Sequence, residues 1–223
     1  DAELARLNAA LVLTLPGTPF LYNGEEIGMT DYLLPHISQV KDTMGSWYYH
    51  TIVTEMGVDP EEAMFRTAEM TRDKNRTPMH WSNKSNAGFS PEGVQTWLPI
   101  NPNYKEGINV FEQEQNPSSI LNYYKHLLKI RKATPALIEG DYLPIHEDAK
   151  DYFAFLRSSG KQTVLVVLNY SDKRLHLNFT TEKGMEGKSL HTLFTSAVRS
   201  PADHKADNLT IAPFEVFIAE AAA

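Results

Sequence analysis

An α/β region followed by an all-β region is the fold class that the sequence predicts. Near the start, Leu4, Leu7, Leu11, Val12 and Leu15 recur at helical spacing. "PGT" breaks that helix, and "TPFLY" follows as a short, nearly all-apolar run of the kind buried on both faces of a sheet. After Gly140 the helical period gives way to strand alternation. "DYFAFLRSSGKQTVLVVLNYS" reads as two strands around a tight turn, and "RLHLNF" sets Leu175, Leu177 and Phe179 on one side. Strands spaced by polar turns form a small antiparallel sandwich. The expected division is therefore 1–140 and 141–223.

A helix and a buried strand make one half of a repeating β/α unit, and such units need many neighbours to close a core. Here there is one, at the start of a chain without an initiator Met, so the chain reads as a portion of something longer. Residues 37–57 read as a helix of mixed quality. In "VDPEEAMFRTAEM" the signals are clearer: Asp59 is the N-cap, Pro60 takes the first helical position and Glu62 completes a capping box. From Thr71 to Asn116 the sequence is long, turn-rich and aromatic, as loops that carry function are. "NPSSILNYYKHLLKIRKATP" returns to helix, with Asn116 or Ser118 as cap. Ile120, Tyr124, Leu127 and Leu128 form its buried stripe, and Pro135 stops it. "FEVFIAE" supplies a closing strand.

The composition excludes several classes of function. The chain has 223 residues, 42% of them hydrophobic, with a formal net charge of −7, an ordinary globular composition. The acidic balance, without any Lys/Arg stretch interleaved with aromatics, argues against nucleic acid as a partner. With no cysteine there is no disulfide, thiolate metal site or Cys nucleophile. A cytoplasmic home is favoured, with secretion the alternative. No apolar run reaches the roughly 20 residues of a membrane helix, and no signal peptide is visible. The histidines are scattered without metal-binding spacing, so neither a metal nor another cofactor is expected. Gly-x-Ser-x-Gly and phosphate-cradling glycine loops are missing as well.

The stretch "TRDKNRTPMHW", residues 71–81, concentrates charge on a loop. Two readings compete for Arg72. A salt bridge to Asp73 or Glu69 would tie the loop down. Alternatively, the fixed fork of donors on a guanidinium would hold vicinal hydroxyls and a carboxylate together. Glu25 and Glu26 look like a catalytic pair, but neighbours at a strand's end point to opposite faces and cannot flank one bond. Glu26 is the choice for a supporting anchor there.

The order of motifs carries a resemblance. "LTLPGTPFLYNGEEIGMTD", "RDKNRTPMHW", "NAGFS" and "TWLPINPNY", then a long helix and a sandwich, resemble the C-terminal part of an α-glucosidase of the α-amylase superfamily. The likeness is to its oligo-1,6-glucosidases and maltases. The resemblance implies the last part of a (β/α)8 barrel: residues 3–15 as its seventh helix, 18–22 as its eighth strand and 118–133 as its eighth helix. A small antiparallel β-sandwich domain follows.

Such enzymes are retaining, using an Asp nucleophile and a Glu acid/base about 5 Å apart. The resemblance places both, and a third Asp, upstream of Asp1. The isolated chain is then expected to be inactive. Its partners would be an oligosaccharide substrate and the N-terminal part of the same barrel. The resemblance assigns Arg72 to the terminal glucose. Structural roles fall to Asp73, to Arg76, expected on buried carbonyls or a carboxylate, and to Trp81, expected to plug the loop against the barrel. Two further readings share the fold: a transglycosylase of the sucrose isomerase kind, and a non-catalytic ectodomain like those of amino-acid transporter heavy chains.

Overall fold

The computed structural model describes residues 2–160, 162–199 and 204–222. Asp1 lies outside them. The chain forms two compact units, Tyr22–Leu121 and the pair of segments Asp1–Leu21 and Asn122–Ala223. These limits differ from the expected division at 140/141, because helices on the N-terminal side of Gly140 pack on the C-terminal sheet.

In the unit built from both chain ends, helix α1 (Ala2–Thr14) buries Leu7, Ala9, Ala10, Leu13 and Thr14, while Leu4 stays exposed. Helix α5 (Ile120–Ala133) places Tyr124 and Leu127 inside but leaves Leu128 outside. Pro135 does not simply end it: Pro135 opens a short helix α6 (Pro135–Glu139), where its missing N–H costs nothing. Among the described residues eight strands follow: β1 (Asp141–Ile145), β2 (Tyr152–Ser159), β3 (Gln162–Asn169), β4 (Leu175–Leu177), β5 (Ser189–Thr195), β6 (His204–Lys205), β7 (Leu209–Ile211) and β8 (Val216–Ala222).

The main sheet runs β1-β2-β3-β8-β5-β6, antiparallel throughout. The strands β4 and β7 pair as a second, two-stranded sheet. The β2–β3 hairpin pairs Tyr152 with Asn169 through Ser159 with Gln162. Leu156, Leu165, Val167, Phe179, Leu209 and Phe217 share one core, against which Leu175 and Leu177 pack. The opposite face of β3 is also dry: Val164, Val166 and Leu168 are buried where α1 and α6 pack on the strand. Two-sided burial accounts for the unbroken apolar run "VLVVL".

Two buried arginines finish α1. Arg131 donates to the carbonyls of Leu13 (2.6 Å), Leu15 (3.1 Å) and Gly17 (2.6 Å). Arg157, on β2, donates to Thr14 O (2.5 Å) and Gly140 O (2.9 Å). They satisfy carbonyls that the helix end leaves unpaired. Burial lowers both guanidinium pKa values from the usual arginine range. Gly140 is obligatory here, since a Cβ would lie 2.3 Å from Ala136 O.

The run 18–22 does not form the expected strand. It joins no ladder, and Phe20 is 87% exposed, with Leu21 and Tyr22 also exposed. A strand is a pairing, and no described segment offers these residues its backbone groups.

The other unit holds helices α2 (Thr43–Thr54), α3 (Pro60–Met70) and α4 (Val110–Gln115), with long ordered loops between. The single helix expected over 37–57 resolves into a 3-10 turn (Ile37–Gln39) and α2, which Asp42 caps. Asp59 caps α3 by accepting from the amides of Glu61 and Glu62. Glu62 does not close the box; it pairs with Arg66 instead. Gln113 ties the loops together. Its Nε2 donates to Ile27 O (2.7 Å) and its Oε1 accepts from Leu121 N (3.1 Å).

Candidate functional site

The 71–81 loop begins where α3 ends. Thr71 Oγ1 accepts from Asp73 N (3.3 Å) and opens a 3-10 turn over Arg72–Asn75. Asp73 points inward and is buried. Its Oδ2 accepts from the amides of Lys41 (2.6 Å) and Asp42 (2.7 Å), so one carboxylate oxygen pins the entry to α2. Gly45 lets α2 approach this closely, because a Cβ there would sit 2.9 Å from Thr71 Oγ1.

The pinning of residues 41–42 decides where Asp42 stands, and Asp42 decides where Arg72 points. Asp42 Oδ1 accepts from Arg72 Nη2 (2.6 Å) and Oδ2 accepts from Arg72 Nε (2.9 Å). The Arg72 and Met44 amides donate to the same carboxylate, at 3.2 and 3.3 Å. The Arg72 bonds hold the Asp42 carboxyl well below the usual carboxylate range, against the opposing effect of burial. Asp42's side chain is 3% exposed and Arg72's is 58%. The Nε–Nη2 edge of the guanidinium is thus fixed, and Nη1 carries no partner among the described residues. The salt bridge anticipated for Arg72 exists, with Asp42 in place of Asp73 or Glu69.

Other residues singled out from the sequence fall differently. Arg76 is exposed, and its guanidinium bonds to no carbonyl or carboxylate among the described residues, which corrects its expected role. A hydrated cationic head has no reason to go inward without a partner. Its backbone does the tying: Arg76 N donates to Asp73 O (3.0 Å), and Arg76 O accepts from the Trp97 indole (3.0 Å). Trp81 is half exposed and does not plug the loop with its ring. Its main chain is clamped instead, to Ala87 O and by Phe111 N. Glu25 and Glu26 lie on a 3-10 turn, not at a strand's end, and each holds a backbone amide. Tyr22 N donates to Glu25 Oε2 (3.1 Å) and Gly24 N to Glu26 Oε2 (2.9 Å).

Behind the exposed arginines, residues 77–80 are buried. Met79 packs in a cluster with Ile27, Leu121, Met29, Phe89 and Val110. His80 is fully buried. Its Nδ1–H donates to Ile108 O (2.9 Å), its Nε2 has no partner, and burial pushes its pKa down. Among the described residues no group of three His, Cys, Asp or Glu side chains is placed to hold a metal ion. Among the same residues no helix is long and apolar enough to cross a membrane.

Comparison with known proteins places this geometry in context. The family "Alpha amylase, catalytic domain" matches residues 1–140, and "Maltogenic Amylase, C-terminal domain" matches 144–218. An oligo-1,6-glucosidase of Parageobacillus thermoglucosidasius is 39% identical over 171 residues, 77% of this chain and 30% of that protein. A glucan 1,6-alpha-glucosidase of Streptococcus pneumoniae is 38% identical over 216 residues, 97% of this chain and 38% of its own length. The chain thus spans about a third of these relatives. Among solved structures, the trehalose-6-phosphate hydrolase of Bacillus licheniformis superposes with a TM-score of 0.83 at 31% identity, covering 99% of this chain and 39% of that one. The trehalulose synthase of Pseudomonas mesoacidophila gives 0.84 at 32%, covering 99% and 38%.

Proposed function

The chain belongs to the alpha-amylase family, and from that premise we propose that it is the C-terminal part of a retaining α-glucosidase. The intact enzyme would release α-linked glucose from the non-reducing end of short oligosaccharides. Its relatives named as oligo-1,6-glucosidases and glucan 1,6-alpha-glucosidases favour this substrate class.

One observation carries the reading. Arg72 is held by a buried carboxylate along one edge and is open along the other. A guanidinium oriented in this way offers directed donors to sugar hydroxyls at little further entropic cost. Asp42 fixes it, and Asp73 fixes Asp42.

Retaining hydrolysis needs a nucleophile and an acid/base about 5 Å apart across one glycosidic bond. Glu25 and Glu26, adjacent carboxylates that follow the eighth-strand run, are each committed to a backbone amide. The resemblance to retaining α-glucosidases assigns the catalytic acids to the preceding part of the barrel. That part is also the proposed partner of the exposed, unpaired run through Phe20 and Leu21. The division at 140/141 would mark the end of the barrel, and a cytoplasmic site of action fits the lack of cysteine.

The runner-up within the family is a sucrose isomerase, on the likeness to the trehalulose synthase structure. Both readings are tested on the full-length parent. The glucosidase should release glucose from a nitrophenyl α-glucoside with the α-anomer appearing first by NMR. Conversion of sucrose to an isomer without net hydrolysis would select the runner-up. A parent inactive on both substrates would overturn both.

A further inference from the structure

A second polar site lies on the same loop, three residues beyond Arg72. The turn Tyr22–Asp31 and residues Asn75 and Thr77 enclose a pocket of about 260 Å³. A water's share of liquid volume is about 30 Å³, so the pocket holds about nine waters. That lies just below the range for drug-sized ligands and suits a single sugar ring.

Its lining matches a neutral polyhydroxylated ring. Thr77 is 7% exposed, yet its hydroxyl has no partner among the described residues. The side-chain amides of Asn23 and Asn75 are likewise uncommitted there. Thr30 Oγ1 already accepts from Asn101 Nδ2 (3.3 Å) and Asn103 Nδ2 (3.1 Å), which leaves its own proton to donate. Tyr22, half exposed, gives the pocket an aromatic wall of the kind that the C–H face of a pyranose covers.

The charges exclude an anionic ligand. No Lys or Arg lines the pocket, whereas Glu25 and Asp31 do. Asp31 is paired with Lys74 Nζ (3.2 Å) and Glu25 with the Tyr22 amide (3.1 Å). A larger groove between residues 33–38 and helix α3, about 690 Å³, is walled by Leu33, Met64 and Phe65 and carries His36, Ser38, Tyr49 and Glu61 as its polar groups, none of them a side-chain amide.

We propose that the pocket formed by Tyr22, Asn23, Thr30, Asn75 and Thr77 is a subsite for one neutral pyranose, separate from the glucose contact of Arg72. This rests on the glucosidase reading and adds a second sugar position to it.

The test is a titration of the isotope-labelled chain with methyl α-D-glucopyranoside, followed by amide NMR. Saturable shifts are expected at Gly24, Asn75 and Thr77. Thr77→Val keeps the side chain's shape and should weaken binding about tenfold, the loss of one hydrogen bond to the ligand. Asn23→Ala, at an exposed position, should weaken it in the same direction. Glucose 6-phosphate should not bind. Shifts centred on Asp42 and Arg72 instead would overturn the pocket while leaving the glucosidase reading in place. Unchanged affinity in both variants, tight binding of the phosphate, or no response to the glucoside would also overturn it. The parent's turnover tests the underlying reading independently.

Discussion

Replacing Asp73 with alanine removes one buried carboxylate oxygen that serves two backbone amides, those of Lys41 and Asp42, at 2.6 and 2.7 Å. Neither amide has an intrahelical partner, because both precede the first turn of α2. Hydrogen bonds to a charged acceptor contribute about 1.5–3 kcal/mol each when the abandoned donor stays dry. The Asp42 amide is buried and the Lys41 amide is only partly so, which puts the total near about 3 kcal/mol. For a chain of this size that is a melting-temperature drop of about 6–12 °C. Asp73→Asn keeps an acceptor oxygen in the same place and loses only the charge assistance, so it should cost about 1 kcal/mol. Thermal melts of the chain followed by circular dichroism supply the numbers. In the full-length parent, Asp73→Ala should also lower kcat/KM, since Asp42 loses its anchor and Arg72 its direction. An Asp73→Ala protein that melts with the wild type would refute this account of the loop. So would an Asp73→Asn protein as damaged as the alanine variant.

Three further outcomes follow from the same structure. Arg72→Ala in the parent should cut kcat/KM by about 10²-fold and should also lower Tm, because it leaves the buried Asp42 carboxylate without its cation; Arg72→Lys should restore little activity because an ammonium lacks the two-pronged geometry, and both are read by steady-state kinetics and melts. His80 is neutral in the fold because burial lowers its pKa. The unfolded chain therefore takes up the extra proton as pH falls below about 6.5, and stability is lost there; urea melts at pH 7.5 and 5.5 should show the loss, and His80→Gln should flatten it. Arg157→Ala strands the carbonyls of Thr14 and Gly140 in a dry site and should cost about 3–5 kcal/mol by denaturant titration.

Much of the C-terminal sheet was legible because strand alternation is a local signal. "RLHLNF" declares its faces within a few residues, "VLVVL" declares a strand by its short run of β-branched and aliphatic residues, and β3 and β4 follow them. The N-terminal features depend on distant partners. Thr18–Tyr22 has the composition of a buried strand, but pairing needs a neighbour, and without one Phe20 stands in solvent. Asp42 went unnoticed because residues 37–57 read as one helix. Its signal is an aspartate directly before Thr43, an N-cap, and its partner Arg72 lies 30 residues away. Glu25 and Glu26 could have been placed on a turn from the glycines on either side, Gly24 and Gly28, both left-handed at φ 94° and 72°. The loop itself was legible as ordered and charged. Which arginine is held and which is free was not, because that depends on a carboxylate brought in by another element.

We propose that this chain orients a sugar while the acids that cleave the glycosidic bond lie in the preceding part of its parent. The direct measurement is turnover of a nitrophenyl α-glucoside by the purified chain alone, beside the same chain co-expressed with the preceding part of its parent. The account predicts no rate above the uncatalysed one for the chain alone and α-glucosidase activity for the reassembled pair. Turnover by the chain alone, surviving purification to homogeneity and lost on mutation of its own carboxylates, would contradict it.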